Sequence, residues 1–235
     1  VTAEHTAGES SYADELEPLV ADLVKRGIAE ESDGALVVWI EGARNGEDGK
    51  PLREPCLVRK TDGGYLYATT DMAGIRRRVQ KIGASRVVYA VDARQGQHFD
   101  QVFKAAKKAG YATHPSGAVS SLEHAGFGTV MGKDGRPFKT RSGGNVKLSD
   151  VVDEAVERAL AEVSKRNEEM PKAEQQQIAE ILGVAAMKYA DLSSDRVKDY
   201  VFDYDRMIAF EGNTGPYLLN ALVRVRGIFR KLAEK

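Results

Sequence analysis

Apolar positions fall in short, regularly spaced groups along most of the chain. Over residues 12–26, Leu16, Leu19, Val20 and Leu23 recur at helical spacing, which predicts an amphipathic helix closed at Gly27. The run LVVWI at 36–40 is strand-like, and residues 42–51 form a polar, glycine-rich stretch that reads as a loop. Residues 56–59 and 65–70 read as strands around the turn residues Asp62, Gly63 and Gly64. Asp71 then suits the cap of a helix reaching Ile82, with Gly83 as its stop. VVYAV, within 86–92, predicts a short strand buried on both faces, and 97–109 a helix ending at Gly110. Residues 119–122 and 127–131 predict two further short strands. Strands alternating with helices across short links predict a doubly wound, parallel α/β sheet in the middle third.

The pattern changes after Gly144. Ser149 suits the cap of a helix over 150–167, Pro171 the first turn of a second helix to Tyr189, and Pro216 opens a last helix. An α/β part therefore precedes an all-helical part. Charge is divided unevenly. Residues 1–33 hold nine acidic and two basic residues, a net of −7, although the whole chain, with 34 basic and 35 acidic residues, is at −1. Nucleic-acid contact would have to come from local basic patches, since no overall excess exists. Cys56 is the only cysteine, which excludes an intramolecular disulfide framework and a cysteine-rich zinc site. No apolar run reaches the roughly 18–20 residues of a membrane span, and the acidic start is unlike a signal peptide. A reduced, cytoplasmic location without a membrane partner is expected.

Three segments carry candidate chemistry. In YLYATTD, at 65–71, a predicted strand meets a predicted helix start, where ligands sit in open α/β sheets. Asp71 and Tyr67 there fit a cationic ligand, or a helix cap and a sheet tyrosine. DARQGQH, at 92–98, follows the VVYAV strand: Gln95 suits a ligand amine and His98 a phosphate or ribose, or both belong to a plain polar link. Residues 133–147 hold five basic residues and one acidic, with four glycines over 132–144. This stretch reads either as a basic lid over a triphosphate or as an exposed, solubilising hairpin. The basic runs at 76–86 and 224–235 suit nucleic-acid phosphates or a solvated helix face.

Taken together, GGYLYATTD (63–71), VDARQGQHF (91–99), FGTVMGKDGRPFKTRSGGNVKLSDVVDEA (127–155) and KYADLSSDRVKDYVFDYDRMIAFEGNTGPY (188–217) closely resemble the arginyl-tRNA synthetase family of class I aminoacyl-tRNA synthetases. The resemblance runs from GESSY at 8–12 through nearly the whole chain. It implies a Rossmann-type catalytic part over 1–144, a helical link over 145–210 and the start of a helical anticodon-binding domain over 211–235. By the same resemblance Tyr67, Asp71 and Gln95 bind arginine, and Asp71 pairs with the guanidinium, whose planar fork suits a carboxylate. His98, His124, Phe127 and Gly128 fall where the family builds its ATP pocket. Lys139 and Arg141 lie in KTRSG, at the place of the class I signature loop, and would act on the departing pyrophosphate.

The implied partners are arginine, ATP with accompanying Mg²⁺, and tRNA(Arg), which must be bound before adenylate forms. The chain departs from the family pattern in two places. Ser142 stands where the second signature lysine is expected, and no His-Ile-Gly-His-like segment occurs. The expectation is therefore a fragment lacking the upstream half of the catalytic domain and inactive alone. The rival expectation is a non-catalytic tRNA-binding or interaction module derived from a synthetase. Another class I specificity would contradict the arginine-type segments at 67–71 and 188–217.

Overall fold

Leu19, Val20 and Leu23 bury one face of α1 (Ala13–Lys25) in the computed structural model, which describes residues 6–45, 49–138 and 147–233. Gly27, at φ 66°, lets the chain leave that helix. The chain forms two compact units, Val1–Gly126 and Phe127–Lys235, dividing ahead of the compositional change at Gly144.

In the first unit, β1 (Ala29–Ser32), β2 (Ala35–Asn45) and β3 (Pro51–Arg59) form an antiparallel sheet, with Ala29 opposite Val38 and Val38 opposite Cys56. Strand β2 continues through Gly42 to Asn45 and β3 begins at Pro51, so both described ends of the polar stretch expected as a loop are strand. Its polar residues lie where β2 and β3 pair beyond β1, so no apolar alternation marks them. α2 (Tyr67–Arg76) follows and continues as a short π-helical stretch to Lys81. The strand expected over 65–70 is thus replaced by a helix start, and only Tyr65 bridges back to Arg59. The cause is Thr69, whose hydroxyl donates to the Val58 carbonyl at 2.6 Å and whose oxygen faces the Leu66 N–H at 3.4 Å. Asp71 consequently lies inside the helix and does not cap it.

β4 (Arg86–Tyr89), α3 (Gly96–Lys108) and β5 (Ser121–His124) make the parallel crossover, with Val87 opposite Leu122 and Tyr89 opposite His124. Only one face of β4 is covered: Val87 is buried, but Val88 is 48% exposed, against the expectation of burial on both sides. The core joins Leu19, Leu23, Val38, Val58, Ile75 and Val102 between α1, α2, α3 and the antiparallel sheet.

The second unit contains β6 (Val130–Met131), α4 (Leu148–Arg166), α5 (Lys172–Leu192), β7 (Tyr200–Val201), α6 (Tyr204–Ile208) and α7 (Gly215–Ala233). β6 and β7 pair in parallel. Gln175 meets Ser164 and Gly183 meets Val156, so α4 and α5 run antiparallel. Buried Gln175 accepts from the Ser164 hydroxyl at 2.7 Å and donates to the Asn167 and Met170 carbonyls at 2.9 Å each. That satisfies its amide and fixes the link between the helices. Helix α4 begins one residue before Ser149, whose hydroxyl faces Asp150 rather than capping. Val163, Ala179, Leu182, Phe202 and Ile208 form this unit's core.

Candidate active site

Parallel strands place their following loops at one edge, and ligands gather there in open α/β sheets. Here that edge holds the link from β4 into α3 and the end of β5 at His124. Asp92 opens a short 3-10 turn, and its carboxylate accepts from the Arg94 N–H at 2.8 Å. Hydrogen bonds from the Arg94 side chain and backbone pull the Asp92 carboxyl down to about 2. Asp92 is therefore a structural anchor for the link. Gln95 directly precedes α3 and is exposed.

His98 lies in the first turn of α3 and Asp71 in the second turn of α2. Their side chains meet: His98 Nε2 is 2.8 Å from Asp71 Oδ2. A carboxylate only accepts, so the imidazole presents its Nε2–H to it. The pair is reachable from solvent, with 26% of the Asp71 side chain and 32% of the His98 side chain exposed. Tyr67 precedes Asp71 by four residues on the same helix face and is 75% exposed.

The His98 ring meets Phe99 edge-on at 5.0 Å, and Phe99 stacks on His124 at 5.2 Å. His124 Nε2 lies 3.2 Å from the Val91 carbonyl, a contact in which the ring nitrogen donates. Its Nδ1 faces Gly96, where a Cβ would sit 3.7 Å away. Phe99 is a site neighbour that the sequence did not single out, because its place between His98 and His124 arises only where α3 and the end of β5 meet.

The structure thus joins Asp71 to His98 directly and His98 to His124 through Phe99, with Tyr67 and Gln95 at the starts of the same two helices. Phe127 and Gly128 belong to the second unit. The Gly128 N–H donates to the Arg196 carbonyl at 2.8 Å, and a Cβ there would collide with the Lys198 carbonyl. A packing reason for this glycine is therefore present. Lys139 and Arg141 lie outside the described residues. The described start of the basic stretch is a hairpin: Met131 bridges Pro137, and Lys133 pairs with Asp203 at 2.9 Å.

The basic run at 76–86 is engaged within its own unit. Glu15 receives Arg77 at 2.9 Å and Lys81 at 3.2 Å, and Arg77 also stacks over Tyr12 at 4.0 Å. Arg78 donates to the Tyr89 hydroxyl at 3.1 Å, and Arg86 grips Glu123 through two bonds of 2.9 and 2.6 Å. Among the described residues no cluster of three or more His, Cys, Asp or Glu side chains could hold a metal ion. No described helix is long and apolar enough to cross a membrane.

The family model described as tRNA synthetases class I (R), catalytic domain, matches residues 1–204. The arginine–tRNA ligase of Pseudomonas putida (strain GB-1) is 51% identical over 234 residues, covering 100% of this chain and 39% of that protein. That of Shewanella piezotolerans (strain WP3) is 52% identical over 234 residues, with the same coverage of 100% and 39%. The chain thus spans 39% of the length of these curated relatives. Among solved structures, Plasmodium falciparum arginyl-tRNA synthetase superposes with a TM-score of 0.74 at 30% identity, over 96% of this chain and 36% of that one. The Thermus thermophilus arginyl-tRNA synthetase superposes at 0.71 with 23% identity, over 94% of this chain and 40% of that one, and speaks for the fold alone.

Proposed function

Because the chain belongs to the class I tRNA synthetase family of the arginine type, we propose that the protein carrying it ligates arginine to tRNA(Arg) at the expense of ATP. The arginine carboxylate attacks the α-phosphate of ATP, arginyl-adenylate forms and pyrophosphate leaves. The terminal ribose hydroxyl of the tRNA then takes the acyl group and AMP is released. No covalent enzyme intermediate is required, so positioning and charge stabilisation carry the rate.

The observation that supports this reading best is Asp71, a partly exposed carboxylate in the second turn of α2 with Tyr67 one turn before it. A guanidinium offers a planar fork of donors to such a group, whereas an ammonium offers a point charge. Tyr67, Asp71 and Gln95 are assigned to arginine, and His98, His124, Phe127 and Gly128 to ATP. His124, backed by the buried Phe99 ring, suits a purine or ribose. Lys139 and Arg141 are assigned to the pyrophosphate, and Mg²⁺ arrives with ATP. Residues 1–144 form the catalytic part, 145–210 the link and 211–235 the start of the anticodon-binding part. The enzyme works in the cytoplasm.

A second reading applies to the 235-residue chain by itself, as a binding module without catalysis. It is favoured by the lack of any His-Ile-Gly-His-like segment in this sequence. The test is tRNA charging by the longer protein with arginine, lysine, glutamine or methionine. Arginine alone is expected to be charged. Preference for any other of the four contradicts the assignment.

A further inference from the structure

The 2.8 Å contact between His98 Nε2 and Asp71 Oδ2 joins a residue assigned to the nucleotide with one assigned to the amino acid. We propose that His98 is a positioning residue for the arginine carboxylate Asp71, acting through this hydrogen bond. The inference rests on the assignment of Asp71 given above and moves His98 from the nucleotide to the amino-acid side of the site.

Two features of the geometry support it. Asp71 stands on α2 and His98 on α3, so the bond ties together two helices that belong to separate stretches of sequence. With Oδ2 held, rotation of the carboxylate is restrained and Oδ1 keeps its lone pairs for a guanidinium N–H. A fork-shaped ligand needs an acceptor fixed in orientation as well as in place. The imidazole is itself held, with its ring edge-on to Phe99 at 5.0 Å and Phe99 packed against Tyr89 at 4.7 Å.

The chemistry of the partner also matters. Lysine or arginine in this position would hold Asp71 equally well, but would cancel the charge that a cationic substrate has to meet. Imidazole can donate the hydrogen bond while uncharged, leaving the carboxylate's charge for the ligand. An uncharged imidazole sets no competing cation beside the carboxylate. Among the described histidines, 98, 114 and 124, His98 is the one hydrogen-bonded to a carboxylate.

The test uses the longer protein and reads tRNA charging at varied arginine and at varied ATP. His98→Leu removes the donor. It is expected to raise KM for arginine about tenfold, the scale of a hydrogen bond to a charged group, and to leave KM for ATP within about twofold. His98→Gln supplies a neutral N–H at similar reach and is expected to return KM for arginine to within about threefold of wild type. A merely structural role would not give this split with rescue. A rise in KM for ATP with arginine unaffected overturns the inference, as does a folded His98→Gln protein no better than His98→Leu. Asp71→Ala is run beside them. If that variant keeps the wild-type KM for arginine, the assignment of Asp71 itself falls, a failure distinct from that of His98 alone.

Discussion

Thr69 is fully buried, and its hydroxyl ties the start of α2 to the Val58 carbonyl at the end of β3. Thr69→Val keeps the shape and leaves that carbonyl without its donor, at a cost of about 1–3 kcal/mol. Chemical denaturation of the variant checks this, and an unchanged midpoint would contradict it. Glu15 makes a second residue-level case. Burial pushes its carboxyl up, but hydrogen bonds and charges from Arg77 and Lys81 reverse this and leave it below its ordinary value. A lowered folded pKa contributes stability that is present above the ordinary carboxylate range and is lost as pH falls through the folded value. Unfolding midpoints measured below about pH 4.5 are expected to fall less steeply in Glu15→Gln than in wild type. Parallel slopes would contradict the role of Glu15. None of these partners was legible in the sequence, because Glu15 and Arg77 are 62 residues apart and only the fold brings them together.

At the scale of elements, helices with one apolar stripe and a glycine stop were legible: α1 closes at Gly27, the helical run after Tyr67 at Gly83, and α3 at Gly110, all at positive φ. The parallel pairing of β4 with β5 also followed from alternation of strand and helix. The start of α2 was not legible, because aromatic and β-branched residues at 65–70 favour a strand and only the buried Thr69 contact decides otherwise. The packing of α4 on α5 escaped notice for a similar reason. Gly183 marks the crossing and lies inside the helix expected to reach Tyr189, yet nothing in the sequence shows which helix packs against it. A Cβ there would come within 2.9 Å of the Val156 backbone, which cannot yield as a side-chain tip would. Gly183→Ala is therefore expected to destabilise the protein by about 1–3 kcal/mol, despite alanine's better helix propensity. A stabilised variant in thermal unfolding would refute this packing account.

Over the whole molecule, the candidate site was partly legible. Asp71, Gln95 and His98 were visible as polar groups at strand and helix junctions, but their mutual contact depends on α2 and α3 meeting in space. Apolar surface is also a whole-molecule property. Leu218, Leu222, Val225, Phe229 and Leu232 line one face of α7 at spacings of three and four, and all are exposed. Such a face promotes association. Purified alone, the 235-residue chain is expected to sediment as an oligomer at high concentration, and Leu222→Glu with Phe229→Glu to shift it towards monomer. A wild-type monomer at every concentration would count against this. The central claim is that Asp71 receives the arginine side chain, and calorimetric titration of the longer protein with arginine tests it most directly. The account predicts saturable binding in wild type and none in Asp71→Ala, with ATP binding retained in both. Arginine binding that survives in Asp71→Ala, or is lost together with ATP binding, would contradict it.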